Sequence, residues 1–265
     1  MAKSVFITGA AAGIGRATAR AFAARGYTIG AYDIDETGLQ TLATDLQNGG
    51  ATALTGHLDV TDHDEMSLRV GEFASACDNR IDVLINNAGI LFAGAFEDID
   101  VATDHKTIDV NCNGVVNGLH AAFPYLRSTP QAVVVNLASA SAIYGQPELA
   151  VYSSTKFFIR GLTEALDLEW ARHDIRVISI WPPFVRSAMT DGMDIGSSRS
   201  LGIHMNPDDV AAEIVAAVEP GGAAKNRILH PVHYPVGTLT RTFVGASRFS
   251  PGWLIRRLNK RVTRS

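Results

Sequence analysis

Short apolar segments rich in β-branched residues alternate with longer segments of helical period throughout residues 1–181. This alternation is typical of βα units that feed a parallel sheet covered by helices on both faces. Right-handed crossovers then favour a doubly wound Rossmann sheet, in which ligands bind at the carboxyl ends of the strands. The sequence therefore predicts a single-domain α/β fold with a ligand crevice at one edge of the sheet.

The same periods predict the bounds of seven strands and six helices. The strands are Val5–Thr8, Thr28–Tyr32, Thr52–His57, Val83–Asn86, Ala132–Leu137, Arg176–Trp181 and Arg227–Leu229. The helices are Ile14–Arg25, Glu36–Leu46, Asp64–Cys77, Val101–Leu126, Val151–Arg172 and Pro207–Val218. Asn206 and Pro207 are typical of an N-cap and a first helical position, which fixes the start of the last of these helices.

We divide the chain into a dinucleotide-binding catalytic domain at residues 1–220 and an extension at 221–265 that holds the last strand. Residues 187–205 break the helical period and mix glycine, serine and scattered apolar residues. Long irregular insertions of this kind often cover active sites, so this segment predicts a substrate lid. A surface loop is the alternative.

The charge of the chain is divided unevenly along its length. Residues 1–220 hold 14 basic and 27 acidic residues, whereas residues 221–265 hold nine basic residues and no acidic one. Within this tail, apolar residues at 254, 255, 258 and 262 have helical spacing and basic residues lie between them. A basic amphipathic helix suits a membrane surface, or it covers the acidic body of its own or a neighbouring subunit, which is the interpretation we favour. Nucleic acid is not an expected partner, because the rest of the chain is acidic.

Two cysteines, Cys77 and Cys112, are too few for a disulfide framework, and no Cys/His cluster has the spacing of zinc ligands. We therefore expect no metal site and a reducing, cytoplasmic environment. The first residues lack the apolar core of a secretory signal, and no run approaches the length of a membrane span.

A glycine-rich segment, Thr8–Gly15, directly follows the first predicted strand and opens a helix at Ile14. Gly9, Gly13 and Gly15 permit a tight turn and let the backbone approach a pyrophosphate at the helix N-terminus. The segment therefore predicts a dinucleotide site.

Asp33 ends the second strand, where a carboxylate accepts hydrogen bonds from the adenosine ribose and repels a ribose 2′-phosphate. NAD is therefore expected rather than NADP. Arg16 leaves an alternative open, because a nearby guanidinium could reach a 2′-phosphate, although Ala12 supplies no second basic residue.

Three further motifs follow in order: Asp59-Val60, Asn86-Asn87-Ala88-Gly89 and Tyr152-Ser153-Ser154-Thr155-Lys156. Together with the glycine segment, they make residues 1–220 resemble the short-chain dehydrogenase/reductase family. The resemblance implies that Asp59 and Val60 contact the adenine ring and that Asn86 and Ala88 line the ribose side of the crevice. It also implies a catalytic set, which is Asn111, Ser139, Tyr152 and Lys156.

The segment after the sixth strand departs from the family pattern, because Pro183 stands where the family commonly has glycine. Proline removes both the backbone freedom and the N–H group that glycine offers. Pro182, Val185 and Ser187 still match family positions that contact the cofactor, with Val185 and Ser187 at the nicotinamide carboxamide.

The chemistry of the catalytic set follows from its residue types. Tyr152 and Lys156 are four residues apart on one helix, so their polar ends can converge. A neighbouring ammonium and an oxidised nicotinamide favour the phenolate, so Tyr152 can exchange a proton with an alcohol or ketone. Ser139 follows the fifth strand and can bind the substrate oxygen. Asn111 resembles the family residue that orders a water behind the lysine, and Asn113 is its rival.

The expected substrate is a hydrophobic secondary alcohol or its ketone, because the residues around the reaction centre are mostly apolar. These candidates are Ala140, Ile143, Tyr144, Gln146, Leu149, Phe184, Met189, Met193 and Ile195.

The family resemblance implies a homodimer or homotetramer formed through two long helices. A catalytically silent dinucleotide-binding sensor or scaffold is the alternative function. A carbon–carbon double-bond reductase is a weaker one, because such enzymes usually space the tyrosine and lysine more widely.

Overall fold

Seven parallel strands form one sheet in the computed structural model, which describes residues 2–187, 189–190, 195–196, 202, 205–219 and 231–262. The strands lie in the order β3-β2-β1-β4-β5-β6-β7. Their bounds are β1 Ser4–Thr8, β2 Thr28–Asp33, β3 Ala53–His57, β4 Val83–Asn86, β5 Val133–Leu137, β6 Arg176–Trp181 and β7 His233–Pro235. The order reverses between β1 and β4, which is where a doubly wound sheet opens its ligand crevice. The doubly wound fold is therefore confirmed.

Helices cover both faces of this sheet. Their bounds are α1 Gly13–Ala23, α2 Glu36–Asn48, α3 His63–Ala76, α4 Val101–Ile108, α5 Gly114–Arg127, α6 Ala150–Trp170, α7 Pro207–Val218, α8 Gly237–Phe249 and α9 Gly252–Val262. Asn206 and Asp209 form a reciprocal capping box at the start of α7, with Pro207 at its first position. No helix among the described residues is long and apolar enough to cross a membrane.

The strand residues alternate between two separate apolar cores. Val5 and Ile7 pack with Phe22 of α1 and Ile214 of α7 on one face of the sheet. Phe6 packs with residues of α3, α5 and α6 on the other face. Because side chains alternate along a strand, every central strand contributes to both cores, and the sheet is held rigidly beneath the crevice.

The structure differs from the sequence prediction in three elements. The single predicted helix Val101–Leu126 is two helices joined by a π-helical turn, Asp109–Asn113. The predicted strand Arg227–Leu229 lies outside the described residues, and the seventh described strand is His233–Pro235, which pairs with β6. Helix α8 was not predicted, because its sequence is rich in glycine, threonine and other residues of low helix propensity.

The predicted lid segment is anchored at its base. Val185 and Met205 form a parallel β-bridge, which joins the chain just before the segment to the segment's last residue. Ile195 is buried, and the N–H of Gly196 donates to Glu148 Oε2 at 3.0 Å. The remaining described lid residues are 187, 189, 190 and 202, and Met193 lies outside the described part of the chain.

Candidate active site

The glycine-rich turn fits closely against the end of β4. Gly9 has a φ of +66°, and a Cβ there would lie 2.8 Å from the Cα of Ala88. A Cβ on Gly15 would lie 2.0 Å from the Gly9 carbonyl oxygen. The Asn87 amide donates to the carbonyls of Thr8 at 2.9 Å and Gly9 at 2.8 Å. Only glycine fits at positions 9 and 15, and Asn87 fixes the turn in place.

The N-terminus of α1 is open toward the same cleft. Its N-cap residue, Ala12, has no side chain that could accept a hydrogen bond from the first-turn N–H groups. Gly13 lines the cleft with a φ of +52°, and a Cβ there would meet no atom closer than 3.7 Å, at Ser187. Uncapped N–H groups at the positive end of a helix bind anions. The residues present therefore fit the pyrophosphate of a dinucleotide, and Ile14 lines the cleft beside them.

At the next strand end, backbone N–H groups hold the Asp33 carboxylate. Its Oδ2 accepts from the N–H of Ala11 at 2.9 Å, and its Oδ1 accepts from the N–H of Asp35 at 3.1 Å. Both aspartates line the cleft. Two donors fix the carboxylate direction and leave lone pairs for ribose hydroxyls.

Asp59 and Val60 line the cleft beside Asp33. Asp59 Oδ1 accepts from the N–H of Thr61 at 2.9 Å and from its hydroxyl at 2.8 Å. The Asn117 amide of α5 donates to the Val60 carbonyl at 2.9 Å. These bonds hold the loop after β3 against α5 and keep Val60 at the wall of the cleft.

Arg16 is engaged away from the Asp33 carboxylate. Its Nη2 lies 2.8 Å from Asp45 Oδ2 on α2, and Arg20 pairs with the same carboxylate. The two hydrogen bonds hold the pKa of Asp45 below its usual value. Among the described lining residues, Lys106 and Lys156 are the only lysines or arginines, whereas Asp33, Asp35 and Asp59 are all acidic.

Asn86 differs from its expected position. It is buried, and its amide donates to Asn136 Oδ1 at 2.9 Å instead of lining the cleft. Asn136 in turn donates to Thr163 Oγ1 of α6 at 3.1 Å. The strand period explains the difference, because Asn86 shares the face of Leu84, which packs beneath the crevice. Asn87, Ala88 and Gly89 line the cleft in its place.

Tyr152 and Lys156 lie together at the other end of the cleft. Lys156 Nζ lies 5.5 Å from the centre of the Tyr152 ring and donates to the Leu137 carbonyl at 2.9 Å. The lysine side chain is buried, with 6% of its surface exposed. The convergence predicted from their spacing on one helix is present in α6.

Burial shifts the pKa values of Tyr152 and Lys156 in the directions that favour their neutral forms. It raises the pKa of Tyr152 to about 12, and the Ser139 side chain acts in the opposite direction. Burial lowers the pKa of Lys156 to about 8. Desolvation penalises the charged form of each side chain, so a nearby opposite charge stabilises the phenolate and the ammonium strongly. A pair with such shifted pKa values is suited to proton exchange.

Ser139 lies at the end of β5 and lines the cleft with Tyr152. Its hydroxyl accepts from the N–H of Ser141 at 3.1 Å and donates to the Ser141 hydroxyl at 3.2 Å. This capping arrangement holds Ser139 Oγ close to the phenol, where both hydroxyls can contact one substrate oxygen.

The π-helical turn presents Asn111 to the interior. Its Oδ1 accepts from the N–H of Ile90 at 2.8 Å, and its Nδ2 donates to the Ile90 carbonyl at 2.9 Å and to Thr155 Oγ1 at 3.2 Å. Asn113 is exposed and donates to Asp109 within the turn. Of the two asparagines, only Asn111 contacts both the loop after β4 and α6, so the structure favours Asn111 as the site residue. It lies in a π-helical turn, a feature that recurs at functional sites.

The segment after β6 forms the wall opposite the glycine turn. The Pro182 carbonyl accepts from the N–H of Ala140 at 2.9 Å, and Pro183 lines the cleft without disturbing this bond. Thr190 Oγ1 donates to the Val185 carbonyl at 2.8 Å and accepts from the N–H of Ser187 at 3.1 Å. Sequence reasoning did not single out Thr190, whose hydroxyl closes this turn.

Part of the predicted substrate wall lines the described cleft. Phe184 and Met189 line the described cleft, together with Ile90, Leu91 and Val110. The predicted residues before Tyr152 do not line it. They are Ala140, Ile143, Tyr144, Gln146 and Leu149, and Leu149 is buried in the protein. Among the described residues, no group of three or more His, Cys, Asp or Glu side chains could hold a metal ion.

Three comparisons with known proteins agree with this geometry. The family model for the short chain dehydrogenase matches residues 3–196. The chain is 34% identical to a meso-2,3-butanediol dehydrogenase of Serratia marcescens, over 79% of this chain and 84% of that protein. It is 32% identical to a trans-4-hydroxycyclohexanecarboxylate dehydrogenase of Sinomonas cyclohexanicum, over 73% of this chain and 76% of that protein.

Among solved structures, a 3-ketoacyl-(acyl-carrier-protein) reductase from Brucella melitensis complexed with NADH superposes with a TM-score of 0.79. The two are 26% identical, and the match covers 88% of this chain and 96% of that chain. Fold and site together define a Rossmann-fold oxidoreductase with a dinucleotide crevice. The chain belongs to the short-chain dehydrogenase/reductase family, a class that acts on CH–OH groups.

Proposed function

We propose that this protein is an NAD-dependent oxidoreductase that interconverts a hydrophobic secondary alcohol and its ketone. The observation that carries the proposal is the convergence of Tyr152, Lys156 and Ser139 in the cleft that also contains the glycine-rich turn. One cleft thus offers a dinucleotide site at one end and a proton-exchanging phenol at the other.

The roles of the chain follow from its contacts. The uncapped start of α1 would bind the pyrophosphate, Asp33 the adenosine ribose, and Val185 with Ser187 the carboxamide. NAD, when bound, would supply the acceptor for the hydride that leaves the alcohol carbon. Tyr152 Oη takes the hydroxyl proton, while Ser139 Oγ holds the substrate oxygen and Lys156 stabilises the phenolate. In the direction of reduction, Tyr152 returns the proton to the ketone oxygen.

Asn111 acts as a positioning residue in this proposal. Its three hydrogen bonds join the loop after β4 to α6, so they fix the distance between the cofactor wall and Tyr152. The family role of ordering a water behind Lys156 is compatible with this placement, because a Cβ on Gly89 would lie 3.1 Å from Asn111 Oδ1 and 3.8 Å from Lys156 Nζ. The asparagine and the lysine therefore border the same small space.

Two observations favour NAD over NADP. The Asp33 carboxylate is fixed at the ribose end of the cleft, where Asp35 adds further negative charge. Arg16, the cation that the sequence offers for a 2′-phosphate, already pairs with Asp45. A phosphate at the ribose would meet repulsion without a compensating cation.

The proposed substrate class rests on the lining of the cleft. Ile90, Leu91, Phe184 and Met189 make the wall beside Tyr152 largely apolar. The two relatives described above are named for alcohols whose hydroxyl is secondary. An apolar or alicyclic secondary alcohol fits this combination better than a sugar phosphate.

The silent sensor is the less favoured function, because all four candidate catalytic residues are present and the relatives are dehydrogenases. The double-bond reductase is disfavoured by the four-residue spacing of tyrosine and lysine. We retain the division into a catalytic domain at 1–220 and an extension at 221–265, and a cytoplasmic location, as proposals.

We also propose a homodimer or homotetramer that buries the outer face of α6. Phe157, Phe158 and Leu168 are exposed there, with 80% of Leu168 accessible. Exposed apolar residues on one helix are typical of a face that packs against another subunit. Light scattering of the purified protein tests this, and a monomer would contradict it.

The activity itself is tested by following NAD reduction at alkaline pH over a panel of alicyclic and alkyl secondary alcohols. Turnover with NAD on at least one of them, and much slower turnover with NADP, is the expected result. Strict dependence on NADP would contradict the cofactor proposal, and turnover of sugar phosphates alone would contradict the substrate proposal.

A further inference from the structure

Helix α9 carries an aromatic residue and three cations on one face. Trp253, Arg256, Arg257 and Lys260 are spaced i, i+3, i+4 and i+7, which places them on one side of a helix. All four are exposed, and 66% of the Trp253 surface is accessible. Leu254, the residue after Trp253, is half-buried.

In the described part of the subunit, no acidic side chain pairs with the cations of this face. Within the described part of the chain, none of the three cations forms an ion pair or a hydrogen bond. In contrast, Arg241 on the neighbouring α8 pairs with Glu213 at 2.7 Å. The interpretation in which the tail covers its own acidic body is therefore not realised at these residues.

We propose that this face of α9 binds the surface of a bilayer that contains anionic phospholipid. Its cations complement lipid phosphates, and residues 221–265 contain no acidic residue to oppose them. Trp253 lies among the cations, and the indole ring favours the headgroup level of a membrane, where its apolar body and its N–H are both accommodated. This role is independent of the oxidoreductase activity, and it would hold the active site near apolar substrates dissolved in the membrane.

A lipid surface fits better than the other anionic partners. A nucleic acid is disfavoured because the rest of the chain, residues 1–220, carries 27 acidic against 14 basic residues. A bilayer meets the helix along its exposed face alone. A second copy of the chain offers negative charge for the cations. It does not offer an environment like the lipid headgroup region, in which an exposed tryptophan is favoured.

The test uses the full-length protein and sedimentation with vesicles of phosphatidylglycerol and phosphatidylcholine in equal amounts, against vesicles of phosphatidylcholine alone. The variant is Arg256→Gln/Arg257→Gln/Lys260→Gln. The control is Lys3→Gln/Arg127→Gln/Arg172→Gln, which removes the same charge from exposed positions elsewhere. We expect binding only to the anionic vesicles, a decrease as salt rises, and at least a tenfold weaker partition for the variant but not for the control.

Trp253→Ala provides a second readout. Fluorescence of the wild type should shift to the blue on addition of anionic vesicles, and the variant should lose that shift, because the other tryptophans lie elsewhere in the fold. Equal vesicle binding by both triple variants would overturn the proposal, as would no binding by the wild type. A change of oligomeric mass without any vesicle binding would assign the face to a second copy. Tighter binding to single-stranded DNA than to vesicles would assign it to nucleic acid.

Discussion

The ammonium group of Lys156 donates to the Leu137 carbonyl at 2.9 Å while it lies 5.5 Å from the centre of the Tyr152 ring. One contact ties the lysine to the end of β5, and the other places its charge beside the phenol. The lysine is thus positioned by the sheet before any ligand arrives, and its buried charge is available to stabilise a phenolate.

Burial of this charge should cost stability at neutral pH. The pKa of Lys156 falls to about 8 in the folded protein, below the usual lysine value of 10.5. Below pH 8 the lysine is charged in both states and its burial opposes folding; between pH 8 and 10.5 the folded state loses the proton first, so the cost fades. Lys156→Met should therefore increase the free energy of unfolding by up to about 3 kcal/mol at pH 7, and by progressively less toward pH 10.5.

Urea unfolding at pH 7 and pH 10 measures this effect, with exposed Lys3→Met as the control. A gain that is the same at both pH values would contradict the assigned origin of the cost.

Cofactor choice should depend on two aspartates. Asp33→Arg should weaken NAD binding and improve NADP binding, because it replaces the ribose acceptor with a phosphate-binding cation. Asp45→Asn should raise the ratio of NADP to NAD turnover several-fold, because it weakens the restraint on Arg16, which lies one helical turn below Ala12.

The ratio of kcat/KM values for the two cofactors gives the measurement. Glu72→Gln, which alters a surface ion pair of α3, is a control that should leave the ratio unchanged. An unchanged preference in Asp33→Arg would remove the ribose role from Asp33.

The glycine turn should not tolerate a side chain. Gly9→Ala introduces a Cβ only 2.8 Å from Ala88 at a positive φ, so it should lower both stability and NADH affinity, the latter at least tenfold. Gly50→Ala is a matched control, because Gly50 also has a positive φ of +73° but no atom lies within 4 Å of its added Cβ.

The control should therefore show only the backbone cost of about 1 kcal/mol and normal NADH binding. Titration of intrinsic fluorescence with NADH distinguishes the two variants. Equal affinity in both would show that close approach at Gly9 is unimportant for the cofactor.

Asn111 and Asn113 lie two positions apart, but their substitution by alanine should have very different effects on kcat and on stability. Asn111→Ala removes two hydrogen bonds to Ile90, in the loop after β4, and one to Thr155 of α6, so kcat should fall at least tenfold with a loss of stability of about 2 kcal/mol. Asn113→Ala removes one exposed bond and should leave both unchanged. If Asn111→Ala loses stability but keeps kcat, its role is structural alone.

The sequence predicted the sheet, the glycine turn and the Tyr152–Lys156 pair because periodicity and short spacing determine them locally. The alternation of strand side chains predicts that Asn86 shares the buried face of Leu84, whereas the family motif predicted a place in the crevice. The strand alternation gave the correct side. The role of Asn87 could not be predicted from the sequence, because its hydrogen bonds to Thr8 and Gly9 join segments almost eighty residues apart. Helix α8 forms despite weak helix propensity, with Val244 packed against the core, so tertiary contacts decide its structure.

Tyr152→Phe tests most directly whether Tyr152 exchanges the proton during hydride transfer. Because burial raises the pKa of Tyr152 to about 12, alcohol oxidation by the wild type should accelerate as pH rises through the alkaline range. The variant should bind NADH with wild-type affinity, yet its kcat for oxidation should fall by roughly 10²–10⁴ and lose this pH dependence. A variant that keeps more than a tenth of wild-type turnover, with the same pH profile, would contradict the assignment.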